Sequence, residues 1–212
     1  MDTGVKVWPK DGEAEVVAKG WGGKALLKQN FINPDNDKLC DFTLWGVVKK
    51  NGEILLTGWS TIIMAVTEKL EVIAVRQFRH GANEITLEVP GGNPNPKFED
   101  NSPETVGVRE LAEETGYTPG RVIRLAPYAF FEPSALVPGY YPCLALDCYR
   151  TPGKKENAAN EQIKVVLIPL RKYLQMMFRG EILDSKTGHL LAMSLPAILQ
   201  TDAESLAQKI LD

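Results

Sequence analysis

The stretch Arg109-Glu110-Leu111-Ala112-Glu113-Glu114-Thr115-Gly116 decides how this chain folds. At about 100° per residue, Glu110, Glu113 and Glu114 fall within an arc of about 100° on one helix face. Val108, Leu111, Ala112 and Thr115 fall on the opposite arc. One side suits a core. The other carries carboxylates, with Arg109 one turn before Glu113 as the nearest cation. Crowded carboxylates repel unless something cationic sits among them, and a hard divalent ion with oxygen preference is the natural candidate.

A glutamate-rich helix face is often merely solvated. The surroundings argue for more here. Upstream, Leu87-Glu88-Val89-Pro90-Gly91-Gly92 reads as a strand ending in a Pro-Gly-Gly turn. Ser102-Pro103 supplies an N-cap and a first-turn proline, and Gly116 supplies a helix stop. A strand, a glycine turn and a helix bearing carboxylates together form a device for holding metal against a polyphosphate.

These residues resemble the box of the Nudix hydrolases, G-x5-E-x7-R-E-U-x-E-E-x-G-U with U bulky and apolar. Gly92, Arg109, Glu110, Leu111, Glu113, Glu114 and Gly116 match it, and Tyr117 is a loose fit for the last position. Arg76-Gln77-Phe78-Arg79, followed by Glu84-Ile85-Thr86-Leu87-Glu88-Val89-Pro90-Gly91-Gly92, is similar to the ADP-ribose pyrophosphatase branch of that family. A proline beyond the box is a further mark of the branch, and Pro133 stands there. The resemblance covers roughly residues 42 to 200.

The first half of the box departs from the pattern. Fourteen positions are expected from its first glycine to its arginine, whereas Gly92 to Arg109 spans seventeen. The three additional residues lie within the segment from Asn93 to Asn101. Counted back from Arg109, the box glutamate is replaced by Asn101, with Glu99 and Asp100 nearby but out of register.

The resemblance implies an α/β fold, a Nudix-type α/β/α sandwich with a mixed β-sheet. It implies an Mg2+ site, with Mn2+ as a substitute, whose ligands are Gly91 (through its carbonyl), Glu110, Glu113, Glu114 and Glu161. Glu161 comes from Asn160-Glu161-Gln162-Ile163, which is similar to the family's N-E-x-I pattern; Glu156 is the alternate. Catalytic roles fall on Arg109, Glu113, Glu114 and Glu161, and substrate-binding roles on Arg76, Arg79 and Glu88. Arg76 and Arg79 lie three apart on a presumed strand and so face opposite sides, one to clamp phosphate and one to pair with a carboxylate. Phe130 and Phe131 are candidates for stacking on a base.

The implied activity is hydrolysis of the pyrophosphate bond of a nucleoside diphosphate derivative. ADP-ribose or a nucleotide sugar is the expected substrate, giving a nucleoside monophosphate and a phosphorylated remainder. The alternatives are a Nudix module that binds ADP-ribose-like ligands with little catalysis, and a hydrolase of dinucleoside polyphosphates.

Length and composition suit one domain of ordinary size with a small N-terminal addition. The chain has 212 residues, 44% hydrophobic and 24% charged, which suffices for one core. A net charge of −3 argues against nucleic-acid binding. Three cysteines and two histidines supply a zinc site or a histidine triad poorly. Apolar runs such as Ile62-Ile63-Met64-Ala65-Val66 are of strand length, so no membrane span is expected, and the N-terminus suggests a cytoplasmic protein. Residues 1–40 read as an N-terminal extension of short extended pieces and turns. In the resembled branch that segment builds a small sheet that helps form a homodimer. Residues 41–212 read as the Nudix domain. Its expected strands are Phe42–Lys50, Thr61–Thr67, Glu71–Gln77, Ile85–Val89, Val122–Phe130, Pro142–Cys148 and Ile163–Ile168. Helices are expected near 103–115, 170–179, 186–200 and 202–211.

Overall fold

The computed structural model describes residues 8–20, 23–55, 59–79, 82–131, 139–151, 163–202 and 204. Two compact units divide the chain, Met1–Trp59 with Phe130–Gly139, and Ser60–Ala129 with Tyr140–Asp212.

The first unit holds a four-stranded sheet in the order β1 (Lys10–Lys19), β2 (Lys24–Ile32), β3 (Leu39–Val48) and β4 (Ile54–Leu55). Every neighbouring pair is antiparallel, and β2 and β3 run in unbroken register from Lys24 opposite Val47 to Ile32 opposite Leu39. Ala25, Leu27 and Val48 form its small core, with Val16 and Ile54 against them. Gln29 is buried among these strands, and its amide donates to the carbonyls of Asp11, Gly12 and Asn30. The short extended pieces expected over residues 1–40 are thus two full strands. β1 is nearly all polar and exposed, so it carries little of the alternation by which a strand announces itself.

The second unit is built on a mixed sheet whose main path is β10 (Arg121–Arg124), β12 (Gly139–Arg150), β5 (Trp59–Thr67), β6 (Glu71–Arg79) and β13 (Ile163–Pro169). β7 (Glu84–Glu88) pairs with β6, β8 (Gly91–Gly92) with β5, and β9 (Tyr117–Thr118) with β12. The expected strand over 122–130 is split into β10 and β11 (Ala129–Phe130), with Pro127, which has no N–H to give a ladder, between them. Three helices are described: α1 (Pro103–Thr115), α2 (Leu170–Phe178) and α3 (Ser185–Ile198). The helix expected at 202–211 lies almost wholly outside the described residues. No described helix is long and apolar enough to cross a membrane.

β5 is buried without interruption from Ser60 to Val66, the mark of a strand covered on both faces. Ile63 and Ala65 join Ile73, Leu111, Tyr117, Cys143, Ala145 and Cys148 in one cluster, and Ile62, Met64 and Val66 are buried as well. An α/β/α sandwich results. Burial pushes the thiols of Cys143 and Cys148 up to about 12, whereas Cys40 on β3 is partly exposed.

α1 is specified at both ends. Ser102 accepts from the Thr105 amide while Thr105 caps back, Pro103 occupies the first turn, and Gly116 closes the helix at φ 75°, where a side chain would be strained. Its buried face is Pro103, Val106, Gly107, Leu111 and Thr115. Gly107 brings the helix onto β5: a Cβ there would stand 2.9 Å from Thr61 Cγ2. Thr61 cannot turn aside, because its hydroxyl donates to the Pro103 carbonyl at 2.8 Å.

Gly107→Ala therefore sets a gain in helix propensity of up to about 1 kcal/mol against an overpacking cost of about 1–3 kcal/mol. We expect overpacking to win and stability to fall by about 1–2 kcal/mol in urea unfolding. A stabilised variant would show that α1 is free to lift from the sheet.

Candidate active site

The carboxylate face of α1 meets the glycine turn. Gly91 and Gly92 form β8, with Ile62 opposite Gly91 and Thr61 opposite Gly92. Neither glycine has a positive φ; space is what excludes a side chain. A Cβ on Gly91 would lie 2.6 Å from the Thr61 carbonyl oxygen and 2.7 Å from Ile62 Cδ1. A Cβ on Gly92 would collide with the carboxylate of Glu110. The turn thus accepts the glutamate side chain where its own would be.

Arg109 organises the rest. Its Nη1 lies 2.9 Å from Glu110 Oε1 and 2.8 Å from Glu113 Oε2. Nε and Nη2 donate to the Asp100 carboxylate at 3.0–3.2 Å, and Nη2 also donates to the Asn93 carbonyl at 2.8 Å. The guanidinium carbon stands 5.1 Å from the Phe98 ring centroid, within cation–π range. Burial alone would lower the Arg109 pKa, but Asp100, Glu110 and Glu113 more than offset it and hold the group charged.

Asp100 is the residue that sequence reasoning set aside as out of register. Its side chain is only 6% exposed, and besides Arg109 it binds the Asn95 amide at 2.7 Å. Burial pushes its carboxyl up, yet Arg109 and the Asn95 amide more than compensate, so it titrates below the usual range. The lengthened loop brings an aspartate to Arg109 while Asn101 occupies the register position of the box glutamate. The signal was present in the sequence, as an acid one residue from the expected place in a loop with additional residues.

A second ion pair lies on the neighbouring strands. Arg79 Nε and Nη2 donate to Glu88 Oε1 and Oε2 at 2.7 and 2.6 Å, and the Thr86 hydroxyl donates to Glu88 Oε1 at 2.6 Å. Glu88 is buried, whereas the Arg79 side chain keeps 48% of its surface exposed. Burial raises the Glu88 pKa, and Arg79 and Thr86 bring it below the ordinary value. Glu114 adds to the negative field on Arg79, so the acidic face of α1 and this pair are near one another. Arg76 is exposed on β6, opposite Leu87 and Lys164, on the face that strand alternation assigns away from Arg79. Glu161, Glu156 and Pro133 lie outside the described residues.

Among the described residues no group of three or more His, Cys, Asp or Glu side chains converges closely enough to hold a metal ion. The donor set nevertheless suits a hard divalent cation. Asp100, Glu110 and Glu113 all pair with the Arg109 guanidinium, which gathers three carboxylates beside the turn.

The model of the NUDIX domain matches residues 56–178, and the chain belongs to that family. It is a Nudix hydrolase, and its relatives include named pyrophosphatases. An ADP-ribose pyrophosphatase of Bacillus subtilis (strain 168) is 27% identical over 172 residues, covering 78% of this chain and 89% of its own. A GDP-mannose pyrophosphatase of Enterobacter sp. (strain 638) is 28% identical over 181 residues, covering 76% and 89%. A crystal structure of an ADP compounds hydrolase superposes with a TM-score of 0.74 at 15% identity, covering 92% of this chain and 96% of that one. That likeness is one of fold.

Asp100→Ala removes one of three carboxylates on Arg109, which keeps Glu110 and Glu113, and the acceptor of the Asn95 amide. A loss of about 1–3 kcal/mol at pH 7 is therefore expected. The folded pKa of Asp100 is depressed, so its stabilisation is complete above about pH 4 and is lost as pH falls through the folded value. The gap between wild type and variant should accordingly narrow in acid. Urea unfolding at pH 7 and pH 3 checks this; a gap that widens in acid would remove Asp100 from its pairing role.

Proposed function

We propose that the chain hydrolyses the pyrophosphate linkage of a nucleoside diphosphate derivative, with ADP-ribose or a nucleotide sugar such as GDP-mannose as substrate. The observation that carries this is the seating of Glu110 against Gly92, with Arg109 holding Glu110 and Glu113. The names of the two pyrophosphatase relatives support the same substrate class.

In this reading Glu110, Glu113, Glu114, Glu161 and the Gly91 carbonyl offer oxygens to Mg2+, with Mn2+ as a substitute. Magnesium, when bound, neutralises phosphate oxygens and acidifies or orients the attacking water. Arg109 is the positioning residue of this face, setting Glu113 and Glu110 by direct pairing. Arg79, presented by the buried Glu88, meets substrate phosphate with its exposed edge, and Arg76 serves as a further cation from the other face of β6. Glu161 shares ligand and general-base duty. The water proton passes to a carboxylate, and the bridging oxygen leaves with the departing phosphate.

The N-terminal unit is proposed to build a homodimer through residues 1–40. Val17 and Leu39 leave large apolar side chains of that segment exposed, and Phe42 and Trp45 do the same further along β3, which supports that role. A cytoplasmic location fits the substrate class.

A panel of nucleoside diphosphate derivatives with Mg2+, resolved chromatographically, tests the activity. Glu114→Gln keeps size and removes charge, and should lower turnover by about two orders of magnitude or more with an unchanged far-UV spectrum. Near-normal turnover in that variant would sink the metal assignment.

The assembly is tested separately by light scattering. Deleting residues 1–40 should give a monomer with weakened activity or poor solubility. A truncated chain with full activity and an unchanged number of subunits would count against the dimer.

A further inference from the structure

The family match ends at residue 178, yet α3, which begins at Ser185, reaches back to Val89, just before the glycine turn. Asp184 is its N-cap. Asp184 Oδ2 accepts from the Thr187 amide at 3.0 Å and from the Thr187 hydroxyl at 2.8 Å, and Lys186 pairs with Oδ1. The Thr187 hydroxyl in turn accepts from the Val89 amide at 3.2 Å, across 98 residues of sequence.

The direction of this relay is fixed by chemistry. A backbone N–H can only donate and a carboxylate only accept, so the hydroxyl gives its single proton to Asp184 and offers a lone pair to Val89. Thr187 is 0% exposed and Val89 4%, so water does not readily replace the hydroxyl. Val89 sits between two parts of the site. On its N-terminal side is Glu88, which holds Arg79. On its C-terminal side, Pro90 offers only a carbonyl, taken by the Ile63 amide at 2.9 Å, and leads directly to Gly91 and Gly92. β5 holds the turn along one edge through its pairing with β8. Thr187 holds the residue just before it. Asp184 also contributes to the negative field on Arg79, which sets the cap close to the Arg79–Glu88 pair.

We propose that Thr187 is a positioning residue of the active site: its hydroxyl, oriented by Asp184, fixes the Val89 amide, and through it the Glu88 carboxylate and the Gly91–Gly92 turn. The proposal rests on the reading of the site given above. It makes α3 a working part of the hydrolase although α3 lies beyond the matched domain.

The test uses the full chain with Thr187→Val, which keeps shape and removes the hydroxyl, and Thr187→Ser, which keeps the hydroxyl. Thr187→Ala serves as a second deletion should valine perturb folding, which circular dichroism and thermal melting monitor. Hydrogen exchange by mass spectrometry reads the peptide spanning 88–92. Kinetics on a nucleoside diphosphate sugar with Mg2+ read kcat and KM apart. Small displacements at a reacting centre cost up to about 100-fold, so kcat should fall about 10–100-fold in the valine variant with KM within about twofold. Exchange at 88–92 should accelerate by about tenfold or more while the β12 peptides keep their protection, and serine should restore both readouts. Unchanged exchange in both deletion variants overturns the tether. Faster exchange with an unchanged kcat overturns the positioning role, leaving Thr187 merely structural. A wild-type chain that hydrolyses none of the nucleotides overturns the proposed activity, and the exchange arm then still decides whether the tether exists.

Discussion

One guanidinium holds this site together. Arg109 is the common partner of Asp100 in the loop before α1, and of Glu110 and Glu113 on the helix itself. Because its fork is planar and permanently charged, it can engage several carboxylates in defined directions, which a lysine cannot do. The neighbouring parts depend on that arrangement. The long loop is pinned through Asp100 and the Asn93 carbonyl, Phe98 covers the guanidinium, and Glu110 is set against the turn. Three carboxylates gathered about this guanidinium also make the oxygen-rich setting that a hard divalent ion favours.

The second organising element is the absence of side chains. At Gly91 and Gly92 the backbone of β8 approaches β5 and the Glu110 carboxylate more closely than any Cβ would permit. Gly107 does the same for α1 against Thr61 and Ile63. These close approaches bring the acidic face of the helix and the main chain of the turn to one place. Two arginines then serve different ends: Arg109 is largely enclosed and structural in its contacts, whereas Arg79 is anchored at Glu88 with half its side chain in solvent.

Much of this was legible from residues alone, and the reasons are local. α1 announces itself by a serine-proline start and a glycine stop, which the structure uses as read, while its core face runs through Val106, Gly107, Leu111 and Thr115 and leaves Val108 and Ala112 only half-buried. β5 and β6 are apolar runs of strand length, and they form the centre of the second sheet. Asp100 was hidden because spacing counted along the chain assumes a loop of fixed length, and here the loop folds back to present a different acid. β1 was hidden because a polar, two-sided strand has no alternation to display; its place is set by pairing with β2 and by the Gln29 amide. The Asp184–Thr187 cap could be read as a helix start, but nothing in its sequence points to Val89, 98 residues away.

The cysteines carry a practical consequence. Alkylating reagents attack the thiolate, and burial that pushes a thiol up to about 12 disfavours that form strongly at neutral pH. Cys143 and Cys148 are also shut inside the sheet of the second unit, so they are doubly screened from reagent. Cys40, partly exposed on β3 with its sulfur 3.8 Å from the Lys38 carbonyl, is the thiol that remains. A maleimide fluorophore would therefore mark one atom of the native chain without any engineered substitution. It would sit in the first unit's sheet, and the residues assigned to chemistry would stay unlabelled.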